Sequence, residues 1–356
     1  MKIVDIRITP CTQALKDPSW KFARARVPRL EGWLLALTDS DGHRGLGYAH
    51  AIPAITTQGS GAQASLLHLA PMLQDRRIDD LAALMEEIDA ALADNASVKA
   101  AIDMALHDLL ARRLGVPVNV LLGGSFRDRV AQARILAIKS PAEMAVKAAE
   151  LATEGYAQLK LKLSGDTALD VARIDAVRQA VGPDVRLTLD PNQSYDAKQM
   201  IMAFSKMERF DIALIEQPVP ATDWAGLALV TRTLPVAVEA DESARTVHDV
   251  FRLVSERIVD VINLKVTKLG GLRRFVQAVR ICEAGGVGVR VGAAFGPSLL
   301  QSMSLQAASI VRQLPYACEL SEHLHLLDDP FTPLPVEHGS IALPDRPGCG
   351  VELPGD

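Results

Sequence analysis

Five short segments in the second half of the chain end apolar runs on residues able to do chemistry. They are Leu159-Lys160-Leu161-Lys162-Leu163, Leu187-Thr188-Leu189-Asp190, Leu214-Ile215-Glu216, Glu239-Ala240-Asp241 and Ile262-Asn263-Leu264-Lys265. Carboxylates offer hard oxygen donors to a divalent cation, and amines carry protons. Such a set suits removal of a proton from the carbon beside a carboxylate. A metal on Asp190, Glu216 and Asp241 would offset the extra negative charge while lysines take and return the proton. Three acids with no histidine or cysteine among them favour Mg²⁺, with Mn²⁺ able to replace it, over zinc.

Helix-like stretches of roughly 20 residues separate these segments, the spacing of a barrel with its site on the strands' C-terminal ends. Eight strands are expected: 133–138, 158–163, 186–190, 212–216, 236–241, 259–265, 287–291 and 316–320. Strands alternating with helices, such as Pro141–Glu154, imply parallel pairing. A doubly wound open sheet is the competing architecture, but no glycine-rich phosphate fingerprint follows the first strand. The predicted fold class is therefore α/β, a modified (β/α)₈ barrel.

Strand alternation also orients the side chains. Leu159, Leu161 and Leu163 share the outer face, which leaves Lys160 and Lys162 inside. The same parity turns Thr188, Asp190 and Asn192, Glu239 and Asp241, and Asn263 and Lys265 inward. The strand 212–216 is apolar on both faces, so only its position at the strand end argues for Glu216. A like charge two residues away favours a neutral amine, which makes Lys162 the expected base and Lys160 its electrostatic tuner. Lys268 lies past its strand end and is read as outside the chemistry. Glu239 is expected to form a buried ion pair, with Lys160 as its partner.

Residues 1–126 lack the repeat. Strands over 1–9, 32–38 and 45–48, with a turn at Asp39-Ser40-Asp41-Gly42, precede a helical pattern from Ala64 to Leu114. This reads as an α+β capping domain, followed by the barrel over 127–328 and a tail over 329–356 that returns to the first domain. A net charge of −5 with no basic cluster argues against a nucleic-acid partner, and no apolar run reaches membrane length. Cys11, Cys282, Cys318 and Cys349 are scattered and read as reduced thiols. With no signal-peptide pattern at the start, a cytoplasmic enzyme with a small-molecule carboxylate substrate is expected, as a homo-oligomer.

In order and spacing, Lys160-x-Lys162, the Asp190/Glu216/Asp241 triad and Asn263-Leu264-Lys265 before Gly270-Gly271 resemble the enolase superfamily in its muconate lactonizing enzyme subgroup. Residues 101–108 and Leu121-Leu122-Gly123-Gly124 look like the segment before that family's barrel, and Pro347-Gly348-Cys349-Gly350 like its C-terminal return. The resemblance implies a capping domain over a modified barrel, Mg²⁺ on the triad, and Lys162 and Lys265 as acid/base groups. It also implies that the loop 16–24 covers the mouth, with Trp20 and Phe22 excluding water and Lys21 or Arg24 meeting a distal carboxylate. Tyr48 and His50 would occupy a second capping loop, with His323 a weaker contact. Dipeptide epimerases of this family carry Asp-x-Asp on the eighth strand. Here the segment is Cys318-Glu319-Leu320-Ser321-Glu322, and the seventh strand ends without an acid.

The leading expectation is racemisation or epimerisation α to a carboxylate, with one lysine on each face. Glu319 and Glu322 tilt the substrate towards an amino-acid derivative or a dipeptide, and Asn192 completes the substrate contacts. A muconate-type cycloisomerase or a dehydratase, using one lysine as base, is the alternative. An idle scaffold would need none of these groups, and a Schiff-base aldolase would leave the triad without a role.

Overall fold

Glycines at 45 and 47 let a strand lie directly on a helix. The computed structural model describes residues 2–22, 25–26, 29–53, 56 and 58–354. Strands Ile3–Pro10, Arg29–Asp39 and Arg44–Ala51 pair antiparallel. A Cβ on Gly45 would fall 2.2 Å from the carbonyl oxygen of Ala105, and one on Gly47 1.9 Å from that of Ala101. The helix Ala96–Leu114 thus packs on one face of the strand Arg44–Ala51, where Ala49 and Ala51 join its core. Leu46 and Tyr48, on the opposite face, pack into the barrel's core instead.

The helix Ala96–Leu114 is buried almost all round, so its polar residues need partners. Asp108 accepts from the N–H groups of Leu46 and Cys349 and pairs with Arg112. Asp103 Oδ2 accepts from Leu272 N at 2.5 Å, which satisfies an N–H at the start of the helix Leu272–Gly285. Gly271, at φ 130°, leaves the room: a Cβ there would lie 2.5 Å from Asp103 Cγ.

The second half folds as expected into parallel strands with outer helices. Seven strands, Arg134–Leu136, Gln158–Lys162, Arg186–Asp190, Ile212–Glu216, Ala237–Ala240, Val261–Leu264 and Gly288–Val291, pair in sequence order. The register sets Lys162 beside Asp190, Lys160 beside Thr188 and Glu216 beside Glu239. The expected eighth strand is reduced to bridges: Cys318 meets Gln132 and Glu319 meets Gly292. Hydrogen bonds from Cys318 N to Ala131 O and from Glu319 N to Val291 O, both 2.9 Å, tie the seventh strand to the segment just before the first. Outer helices begin on side-chain caps, as where Ser140 and Glu143 form a capping box for Pro141–Thr153.

The tail divides its contacts. Ser340–Ala342 pairs with Arg129–Ala131 at the barrel's entrance, while Gly348 and Cys349 bind the capping helix region through Val116, Val118 and Asp108. The loop after Gln13–Ala14 crosses the mouth. Leu15 bridges Leu326, Lys16 N donates to His325 O at 2.9 Å, and Asp17 pairs with Lys139 at 2.9 Å. Among the described residues no helix is long and apolar enough to cross a membrane.

Candidate active site

The alternation that hides leucines on the outside of the second strand turns its two lysines into a buried cluster. Lys160 is 2% exposed and reaches Asp190 at 3.0 Å, Glu216 at 2.7 Å and Glu319 at 3.0 Å. Burial would lower its pKa, but those three carboxylates together raise it well above the usual lysine value, so it stays cationic. Lys162 contacts Asp190 at 2.5 Å. Burial opposes ionisation of Asp190, yet Lys160 and Lys162 bring its carboxyl down to about 2.

On the other side of the barrel, Lys265 contacts Asp241 Oδ2 at 2.7 Å. Lys268 also reaches this carboxylate, at 2.5 Å from Oδ1, and bonds to the Asp241 carbonyl and to Asn263 O. Lys268, read as outside the chemistry, thus lies within the ion cluster, its ammonium committed to Asp241 and Asn263. The short helix Val266–Leu269 folds back from the strand end and aims that side chain inward. Despite burial, Lys265 and Lys268 hold Asp241 well below the carboxylate range.

Arg290, with no exposure, anchors the cluster from the seventh strand. Its guanidinium binds Glu216, Glu239 at 3.0 Å and Glu319 at 2.7 Å. Glu239 thus pairs with Arg290, not with Lys160 as expected. Sequence reasoning missed Arg290, although Val287, Val289 and Val291 around it carry the parity signal that oriented the lysines. Glu242 was also missed. Burial and then Asp241 push it up to about 7, and its Oε1 accepts from Asn192 at 3.3 Å.

The remaining candidates separate. Trp20 is buried edge-on against Phe295, with ring centroids 4.7 Å apart, and lies 6.1 Å from His325. His50 is buried with neither ring nitrogen hydrogen-bonded, and burial and then Lys265 lower it to about 4. The Tyr48 hydroxyl lies over Gly32, where a Cβ would sit 2.1 Å away, so this ring fills the layer between capping sheet and barrel. Asn192 N donates to Asp190 Oδ1 at 2.8 Å. Glu319 is taken up by Lys160 and Arg290, whereas both oxygens of buried Glu322 have no hydrogen-bond partner. His323 Nε2 bonds to Leu334 O at 2.9 Å. The side chain of Phe22 and all of Arg24 lie outside the described residues; Lys21 is exposed.

Asp190 and Glu216 end two neighbouring strands, Asp241 directly follows the next, and the three are 0%, 1% and 5% exposed. Burial and then Asp190 raise Glu216, even beside Lys160 and Arg290. An all-oxygen set of that kind fits a hard divalent cation. A second group, Asp39, Asp41 and His43, has ligand atoms close together in the capping sheet's hairpin. There Asp39 Oδ1 accepts from the N–H groups of Asp41 and His43 and Oδ2 pairs with Arg113, so the cluster closes a turn.

A capped α/β barrel with acids and lysines gathered at its strand ends defines the class, a metal-dependent isomerase. Residues 4–123 match the mandelate racemase/muconate lactonizing enzyme N-terminal domain, and residues 143–356 the enolase C-terminal domain-like family. The chain is 33% identical to the L-Ala-D/L-Glu epimerase of Bacillus subtilis, over 99% of this chain and 97% of that one. It is 31% identical to muconate cycloisomerase 1 of Rhodococcus opacus, over 99% and 96% of the two chains. The dipeptide epimerase of Enterococcus faecalis, in complex with Mg and the dipeptide L-Leu-L-Tyr, superposes with a TM-score of 0.95 at 28% identity over 99% of both chains. The chain belongs to the enolase superfamily, in its mandelate racemase/muconate lactonizing enzyme group.

Proposed function

We propose that the protein inverts the carbon α to the carboxylate of an amino-acid derivative or dipeptide, with Mg²⁺ held by Asp190, Glu216 and Asp241 and Mn²⁺ able to replace it. The bound cation would draw charge from the substrate carboxylate and acidify the adjacent C–H. The observation that carries the reading is the placement of Lys162 and Lys265. They stand on the second and sixth strands, either side of the three triad strands, and contact the outer triad members Asp190 and Asp241.

Two amines on opposite sides suit a two-base inversion. One Nζ takes the α proton, leaving an enediolate, and the other returns a proton to the opposite face. Lys160, cationic and buried, adds positive potential beside Lys162 and is too enclosed to meet substrate. Trp20 supports water exclusion under the crossing loop. The division into capping domain (1–126), barrel (127–328) and return (329–356) belongs to the same proposal. Two hydrogen bonds support it: Asp103–Leu272 joins the cap to the barrel, and Asp108–Cys349 joins the return to the cap.

The test is deuterium wash-in at the α position in D₂O across dipeptides, N-acylamino acids and muconates. Lys162→Ala and Lys265→Ala should each block exchange from a different stereoisomer. Turnover of a muconate, with no exchange in any amino-acid derivative, would replace this reading by the cycloisomerase alternative.

A further inference from the structure

Gln217 directly follows Glu216, and its side chain makes every hydrogen bond that an amide can make. Oε1 accepts from the N–H groups of Asp241 and Ser243, both at 3.0 Å. Nε2 donates to Ser243 Oγ at 2.8 Å and to Val219 O at 3.1 Å. Two converging backbone donors fix which end of the amide is oxygen. The side chain has no exposure, and no donor or acceptor is left for a substrate or a cation. Its backbone continues the lacing: Gln217 N donates to Glu239 O at 2.8 Å, and Gln217 O accepts from Gln193 N at 2.9 Å. One residue beside Glu216 thus ties the loop that follows Asp190 to the strand end that carries Asp241.

The sheet itself does not supply this link. Pairing between the third and fourth strands stops at Leu189 with Ile215, and between the fourth and fifth at Glu216 with Glu239, short of Asp241. Beyond those pairs the backbone leaves its resting conformations. Asn192, Gln193 and Gln217 take left-handed φ angles of 45°, 69° and 37°, although none is glycine. A Cβ disfavours that region, and such residues persist where their surroundings over-determine them. Here Asn192 N bonds to Asp190 Oδ1 at 2.8 Å and Gln193 Oε1 accepts from Ala221 N at 2.9 Å. Ser243 Oγ closes the circuit on Ala221 O at 3.0 Å.

We propose that Gln217 is a positioning residue for the metal site, setting the spacing among the carboxylates of Asp190, Glu216 and Asp241. The assignment rests on the triad of ligands given under the proposed function. Mg²⁺ demands near-ideal octahedral geometry, so carboxylates drawn from three strands must be held at fixed separations. Groups that hold ligands from behind set the affinity of such a site. The amide does this without adding charge, whereas a glutamate would turn a carboxylate oxygen towards Val219 O.

The test is calorimetric titration with Mg²⁺ alone of the wild type, Gln217→Gly and Gln217→Met. Glycine takes the left-handed backbone without strain but removes the amide, and methionine keeps the volume without the hydrogen bonds. Leu253→Ala, buried on the outer helix Val247–Ser255, is the destabilised control. Kd for Mg²⁺ should rise about 10- to 100-fold in both Gln217 variants and stay unchanged in Leu253→Ala. An unchanged Kd in either folded Gln217 variant overturns the assignment and leaves the triad standing. An equal rise in Leu253→Ala also overturns it, because affinity would then merely follow stability. Hydrogen exchange of the EDTA-treated wild type decides without any variant. The N–H groups of Asp241 and Ser243 should exchange as slowly as those of Ala237–Ala240, and fast exchange at both overturns the assignment. A wild type that binds no Mg²⁺, or binding that survives amides at 190, 216 and 241, overturns the triad itself and the role of Gln217 with it.

Discussion

Lys268 Nζ stands 2.5 Å from Oδ1 of Asp241, on the opposite oxygen from the one that Lys265 binds. Three acceptors hold Lys268: that carboxylate, the Asp241 carbonyl and Asn263 O. An ammonium so committed orients the carboxylate and has little reach left for a substrate. Lys268→Met is therefore expected to slow exchange from both stereoisomers equally, about tenfold, by loosening Asp241. Lys265→Met should lose about 10²- to 10⁴-fold, from one stereoisomer only. Stereoselective loss in the Lys268 variant would move the proton-transfer role to that residue.

Glu216 joins the proposed cation site to the internal ion network, so its removal has two readouts. EDTA should abolish exchange and added Mg²⁺ restore it, and Glu216→Gln should weaken metal binding. The same variant leaves Lys160 and Arg290 short of a partner, so its melting temperature should fall even without metal. Calorimetry with and without Mg²⁺ separates the two. Full metal occupancy in a variant with amides at 190, 216 and 241 would refute the ligand assignment.

The parts of this site that could be read from the chain are those where polar and apolar residues alternate. Lys160 and Lys162 sit between leucines, and only one face of a pleated strand can take them inward. Glu216 follows Ile212-Ala213-Leu214-Ile215, a strand buried on both faces, so alternation is silent and only packing orients it. The contact of Lys268 with Asp241 was not legible because strand parity ends at Lys265. Beyond it the chain turns through a short helix, ending on Gly270 and Gly271 at φ 88° and 130°. Glu319 and Glu322, read together as substrate contacts, part company for a related reason, Glu319 being taken up by Lys160 and Arg290. The eighth strand shrinks to a bridge, and the turn that follows carries Glu322 to a place no two-residue period predicts. Ion pairing cannot be read from strand parity either, and Arg290 rather than a lysine took Glu239.

Arg290 binds three carboxylates with no exposed surface, two of which, Glu216 and Glu319, it shares with Lys160. Arg290→Met should cost about 3–5 kcal/mol of stability, because buried acids lose their partner. Arg290→Lys keeps the charge but not the planar geometry and should recover only part of that. Chemical denaturation of both variants checks the order. A methionine variant as stable as the wild type would mean that Glu239 and Glu319 are content as neutral acids.

His107 offers a pH test remote from the catalytic cluster. It lies on the capping helix, its Nδ1 2.8 Å from Asp103 O and 3.3 Å from Asp103 Oδ2. Burial would lower its pKa, but Asp103, by charge and hydrogen bond, raises it above the usual histidine value. A group whose pKa is higher folded than unfolded stabilises fully below its unfolded value, near 6.5, and loses that contribution as pH rises through the folded value. Because Asp103 also caps the helix Leu272–Gly285, the charged pair helps to hold the cap on the barrel. The stability difference between wild type and His107→Asn should therefore be larger at pH 6 than at pH 8.5. Urea unfolding at the two values measures it. A difference that does not shrink with rising pH would mean that the ring stays neutral and that the Asp103 carboxylate holds Leu272 without help from an imidazolium.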